Sequence, residues 1–158
     1  MKADEARPVV GVRAEQDALS QLRQALGLRP SAPEPDAVAL LESYEQACEH
    51  LARGRIDQAA VQFEALVQAA PLEQRFHFGL GLCLQDAGQI ADAMRHYGVA
   101  YVLDASDAAC AFRMGECLAA AGLVDDAREA FEAAKALSSL PSNASEVGQM
   151  AQAALAKL

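Results

Sequence analysis

Gly54, Gly88 and Gly122 stand 34 residues apart, and no other feature of the chain restricts its fold so sharply. Ala59, Ala93 and Ala127 follow those glycines in register, and Phe63, Tyr97 and Phe131 come four residues after the alanines. Ile56, Ile90 and Val124 form a fourth column. Gly81 and Gly115 form a fifth, with Ala47 at the equivalent place in the first unit. Coincidence in five columns implies like units stacked side by side, each burying an apolar face that it cannot bury alone.

The residue types say what each unit is. A glycine just past a helix end takes a left-handed conformation at least cost, because it has no Cβ. Small residues on a first helix (A), together with the alanine on a second (B), let two helix backbones approach closely. The aromatic on helix B fills the gap toward neighbouring helices. This combination at a 34-residue period resembles the tetratricopeptide repeat. The proline that usually follows helix B is present as Pro71, missing at Ala105 and displaced to Pro141. The expected fold is all-α: a right-handed superhelix of three tetratricopeptide-type hairpins with an N-terminal helix and a C-terminal capping helix.

Helical spacing of Leu19, Leu22 and Leu26 predicts the N-terminal helix over about 14–27. Arg29-Pro30-Ser31-Ala32-Pro33-Glu34-Pro35 cannot continue it and forms a linker, so residues 1–36 are set apart from a repeat domain over 37–158. Asp36 is placed to cap the next helix. Helix pairs are expected at 37–53 with 56–69, 72–87 with 90–103, and 107–121 with 124–138. The repeats then span about 37–71, 72–105 and 106–141. A capping helix over 142–158 follows, its helical part near 144–157, with Asn143 and Glu146 spaced as a capping box.

Composition narrows the function classes. With 53% hydrophobic residues, 22% charged residues and a net charge of −9, the chain lacks the basic surface that a polyphosphate backbone requires. No apolar run of about 20 residues is present to insert stably into a membrane, and the first residues carry no secretory signal, so a cytoplasmic location is expected. Cys48, Cys83, Cys110 and Cys117 show no metal-ligand spacing and read as small apolar residues. His50, His77 and His96 are dispersed over different helices, and no catalytic motif is evident. Glu45, Glu49, Asp125, Asp126, Glu129 and Glu132 read as solvated helix faces. No enzyme activity, cofactor or metal is expected.

A second aromatic column, Tyr44, Phe78 and Phe112, repeats on helix A, on a different face from the small residues. Positions one turn before and after it extend the stripe. On the first helix A the stripe is Leu41, Tyr44, Cys48 and Leu51; on the second it is Arg75, Phe78, Leu82 and Gln85; on the third it holds Ala109, Phe112, Glu116 and Ala119. An exposed apolar strip of this kind marks a partner surface, where an extended peptide binds through a few anchors. The competing account packs the same aromatics against the N-terminal helix or a second subunit.

Arg75-Phe76-His77-Phe78-Gly79-Leu80-Gly81-Leu82-Cys83-Leu84-Gln85 resembles the R-F-x-x-G-L-G-x-C-x-Q segment of type III secretion class II chaperones. Phe112-Arg113-Met114-Gly115-Glu116-Cys117 is similar to that family's F-x-x-x-E-C segment. The resemblance covers about residues 37–158. It implies a cytoplasmic, acidic, helical-repeat chaperone that keeps hydrophobic translocator subunits soluble before export by holding an extended segment near the translocator's N-terminus. It implies that Tyr44, Cys48 and Leu51 line the first pocket, Phe78 and Leu82 the next, with Phe112 and Glu116 following. Cys48 and Leu51 stand where relatives carry aromatics, so the client's anchors differ. Homodimerisation through the N-terminal region, and in some members a transcriptional activator as second partner, belong to the same resemblance.

The alternative functions are a chaperone of the secretion needle subunit, which would sequester a short amphipathic helix, and a general tetratricopeptide scaffold or assembly module without an export client. A scaffold for C-terminal carboxylates is disfavoured, because Tyr44 and Cys48 occupy positions where such a site needs cationic or amide donors. The repeat register itself is testable. Ala93→Leu should overpack a close helix crossing and cost about 1–3 kcal/mol; an unchanged thermal midpoint would contradict the register.

Overall fold

Asp36 opens the repeat domain as expected: its side chain accepts a hydrogen bond from the Val38 amide at 3.0 Å. The structure is a computed structural model and describes Gln21 and residues 36–158. The expected N-terminal helix and linker otherwise lie outside the described residues. The helices are α1 (Ala37–Ala52), α2 (Ile56–Ala69), α3 (Gln74–Asp86), α4 (Ile90–Leu103), α5 (Ala108–Ala120), α6 (Val124–Leu137) and α7 (Ser145–Leu155), and the described residues contain no strand. Each helix expected from residue 37 onward is present, with ends differing by a few residues at most.

The three glycines end their helices in one way. Gly54, Gly88 and Gly122 have φ of 70°, 75° and 79°, and every other residue of positive φ is absent from the described backbone. Their amides bond to Leu51, Gln85 and Ala119 carbonyls at 2.9–3.0 Å, and the next amides, of Arg55, Gln89 and Leu123, reach back to His50, Leu84 and Leu118. These paired bonds satisfy carbonyls that a helix end leaves open. The reversal is so tight that α2, α4 and α6 begin at once, without side-chain caps.

α1 with α2, α3 with α4, and α5 with α6 pack as hairpins, and each hairpin packs on the next. Ala47, Ala59, Ala93 and Ala127 are fully buried, and Phe63, Tyr97 and Phe131 are at most 2% exposed. Burial of one such ring is worth roughly 1.5–3 kcal/mol. The small column on helix A has a sharper role than backbone approach. A Cβ on Gly81 would lie 2.6 Å from the Tyr97 ring, and one on Gly115 would lie 2.7 Å from Phe131. These glycines are seats for the rings. Ala47 carries a Cβ at the matching place, and Phe63 finds its gap one hairpin later, where a Cβ on Gly79 would sit 2.2 Å from the ring.

α7 lies against both helices of the third hairpin and buries Ala151 there. The expected Asn143–Glu146 capping box does not form. Ala144 is the N-cap residue and makes no side-chain bond, so the register is one residue off for a box. Asn143 serves its neighbours instead. Its Oδ1 accepts from Ala108 N at 3.0 Å, and its Nδ2 donates to Ser106 O at 2.8 Å and Leu137 O at 3.0 Å. One amide thereby satisfies groups at the start of α5 and the end of α6, more than the start of α7 could offer it.

All four cysteines are free. Cys83, Cys110 and Cys117 are buried and Cys48 is half-buried. Burial pushes the Cys83 thiol up to about 11 and the Cys110 thiol to about 12, and raises Cys117. Cys110 also donates to the Tyr97 carbonyl at 3.2 Å. No helix among the described residues is long and apolar enough to cross a membrane.

Two outcomes are expected. Gly81→Ala should cost about 1–3 kcal/mol by driving Tyr97 off its seat, whereas Gly98→Ala, with nothing near its Cβ position, should stabilise its helix by about 0.5–1 kcal/mol. Denaturation midpoints shifting in the same direction would contradict the ring-seat reading. In a native thiol-labelling experiment near neutral pH, Cys48 should react and the three core thiols should wait for unfolding, since the reactive thiolate is suppressed where burial raises the pKa.

Candidate protein-binding face

The helix-A stripes occupy α1, α3 and α5. On α1, Tyr44 is half-buried. Its ring meets Phe63 edge-on, with centroids 6.1 Å apart, and lies tilted against Phe76 at 5.7 Å. The Arg75 guanidinium stands 5.1 Å from its centroid, close enough for a cation–π attraction. Burial raises the phenol above its ordinary value, and a hydrogen bond with Cys48 adds to the rise. Cys48 and Leu51 are half-buried against the same core, and Leu41 is 49% exposed.

On α3, Phe78 and Leu82 are half-buried beside Tyr97, with Phe78 tilted 5.7 Å from that ring. Arg75 shares their helical stripe and reaches over Tyr44 while pairing with Glu73 at 3.1 Å. It therefore joins the α1 and α3 stripes on one side of the A helices. These two stripes leave apolar side chains partly open to solvent.

The third does not. Phe112 is only 6% exposed, packed 5.5 Å from Phe131 and in one cluster with Ala151 of α7. Phe112, expected to line the groove beside Tyr44 and Phe78, is thus more deeply covered than either, in the cluster that the terminal helix joins. Ala109 and Glu116, on the same helix, remain half-buried.

Gln85 and Glu116, expected as members of the second and third helix-A stripes, belong to one network. Tyr97 Oη donates to Gln85 Oε1 at 2.7 Å, Gln85 Nε2 donates to Glu116 Oε2 at 3.1 Å, and Arg113 Nη1 donates to the same oxygen at 2.9 Å. Burial drives the Tyr97 phenol far above its ordinary value, so it stays a donor. With Gln74 donating to Asp107 at 2.7 Å near the other end of the helices, these bonds fix α3 beside α5. Four groups are satisfied at once, which suits a partly buried polar network.

Two features escaped the sequence reading. Phe76, 3% exposed, supports the Tyr44 ring; its signal was the apolar stripe Phe76, Leu80 and Cys83 on a second face of α3. His77 and His96, read as dispersed, meet with Nδ1 atoms 3.1 Å apart. No spacing rule could pair residues on the two arms of a hairpin. Among the described residues no group of three or more histidine, cysteine or acidic side chains is placed to hold a metal.

The chain is similar to the Yersinia enterocolitica type III secretion translocator chaperone SycD, solved as an alternative dimer, with 26% identity and a TM-score of 0.74 over 79% of this chain and 95% of that one. SycD in complex with a peptide of the translocator YopD matches with the same identity, coverage and TM-score. PcrH from Pseudomonas aeruginosa matches at 26% identity and a TM-score of 0.72 over 78% of this chain and 93% of its own. No curated protein sequence matches the chain. The profile of the tetratricopeptide repeat family matches residues 44–109 and 84–141. That span takes in all three glycine turns and all three ring seats, and the chain belongs to the tetratricopeptide repeat family.

Proposed function

We propose that the chain is a cytoplasmic, non-catalytic chaperone of a type III secretion system, which holds an extended segment of a hydrophobic translocator subunit across the α1 and α3 stripes. The observation that carries this reading is the pair of half-open apolar stripes, Leu41–Tyr44–Cys48–Leu51 and Phe78–Leu82, joined by Arg75. The similarity to SycD with a YopD peptide, and to PcrH with the chaperone binding regions of PopD and PopB, supports it. A translocator's apolar segments would aggregate in water. Covering them is favourable by about 25 cal/mol for each Å² removed from solvent. The net charge of −9 then keeps complexes apart.

In this reading Tyr44 and Phe78 are anchoring walls, Leu41, Leu51 and Leu82 complete the apolar surface, and Cys48 leaves a wider first pocket than an aromatic would. Arg75 sets the polar margin. Gln85 and Glu116 hold the floor in place through the Tyr97 network, and Phe112 is structural. Homodimerisation is part of the proposal, supported by the dimer of SycD.

Co-expression with a translocator from the same secretion system tests the assignment. Tyr44→Glu and Phe78→Glu should each abolish recovery of soluble translocator while leaving helical circular dichroism nearly intact. Phe112→Glu should lower the melting temperature, because it places a charge in the core. Full recovery of soluble client with both stripe variants sinks the proposal.

A further inference from the structure

His77 is the sole buried residue of polar or charged type among those described, at 6% exposure. Both of its ring nitrogens are engaged. Nε2 lies 2.9 Å from the carbonyl oxygen of Pro71, in the turn between the first two hairpins, and Nδ1 lies 3.1 Å from Nδ1 of His96 on α4. The rings stack with centroids 5.3 Å apart.

Donor and acceptor rules fix the protons. A carbonyl oxygen only accepts, so His77 carries its proton on Nε2. The neutral ring has no second proton, so its Nδ1 accepts and His96 Nδ1 must donate. The two histidines are thus held in opposite tautomers, with one proton between them. A first added proton goes to the outer Nε2 of His96 and leaves this bridge standing. A second has only His77 Nδ1 left to bind. Two N–H groups would then face each other at 3.1 Å between two cations, and the bridge must open.

We propose that His77 and His96 form a proton-operated latch, closed near neutral pH, which ties the Pro71 turn to α3 and α4 and opens when the pair has taken up two further protons. The charged and titratable neighbours of His96 are few. Glu64 of α2 favours its charge, while His77 of α3 and Arg95 of α4 oppose it; Arg95 is itself paired with Asp92. Burial is the largest influence and holds His96 below its ordinary value. Its contribution to stability is therefore full above the unfolded-state value of about 6.5 and is lost as pH falls through the folded-state value. Opening separates the two arms of the second hairpin beside Phe76, the ring that supports Tyr44, while the Nε2 bond to Pro71 stays, so acid should loosen α3 from α4.

Nitrogen-15 NMR of the imidazoles in the full chain tests the latch directly. At about pH 7.5 His77 should show protonated Nε2 and His96 protonated Nδ1. On acidification the pair should titrate in two steps, as coupled groups do, the first at His96 and below about 6.5, with the bridging proton signal lost only in the second. Urea unfolding from about pH 7.5 to about pH 5 provides an independent readout. The wild-type midpoint should fall across this range, and in His96→Gln, which can still donate to His77 but cannot charge, that fall should shrink. Matching tautomers in the two rings, a single independent step for each, or an unchanged pH dependence in H96Q would each overturn the proposal.

Discussion

The structure depends on seating an aromatic ring from helix B in a place where a neighbouring A helix has no side chain. Tyr97 on Gly81 and Phe131 on Gly115 leave no room for a Cβ, and Phe63 does the same against Gly79. Interiors are packed densely enough that one misplaced carbon is felt. Because the seat needs a glycine and the ring needs an aromatic, the second and third hairpins fix the distance and rotation of their two helices by this contact. Phe63 on Gly79 shows the same device working between hairpins, where it sets the step from the first repeat to the second.

With the rings committed to the core, the other face of the A helices is free for a different use. Tyr44 and Phe78 each touch a core ring on one side and remain half-open on the other, so the walls of the binding face are rigid extensions of the core. Rigid apolar walls favour binding because little side-chain freedom remains to be lost. The Tyr97–Gln85–Glu116–Arg113 network belongs to the same plan: it lies across α3 and α5 and holds the A helices in one spacing. The histidine latch occupies the opposite end of α3, so the second hairpin is pinned by polar contacts at both ends.

Where the expectations failed, a tertiary partner had outbid a local one. Asn143 has the right spacing for a box with Glu146, yet three partners on α5, α6 and the turn before α5 hold its amide. Phe112 is in register with Tyr44 and Phe78, yet it sits in the only described hairpin that has a terminal helix lying on it. A column in a repeat gives the same direction to each side chain but not the same cover, because the last unit has a different neighbour from the others.

The 34-residue columns by themselves determined the six repeat helices, their glycine turns and the alanines and helix-B rings of the core, since each depends on local conformation or on a contact repeated from unit to unit. They also located the α1 and α3 stripes. Only the tertiary structure decided which members of the stripe stay open, which polar residues join hands, and that His77 meets His96. Those outcomes turn on contacts between side chains from different helices, at distances that no spacing along one helix records.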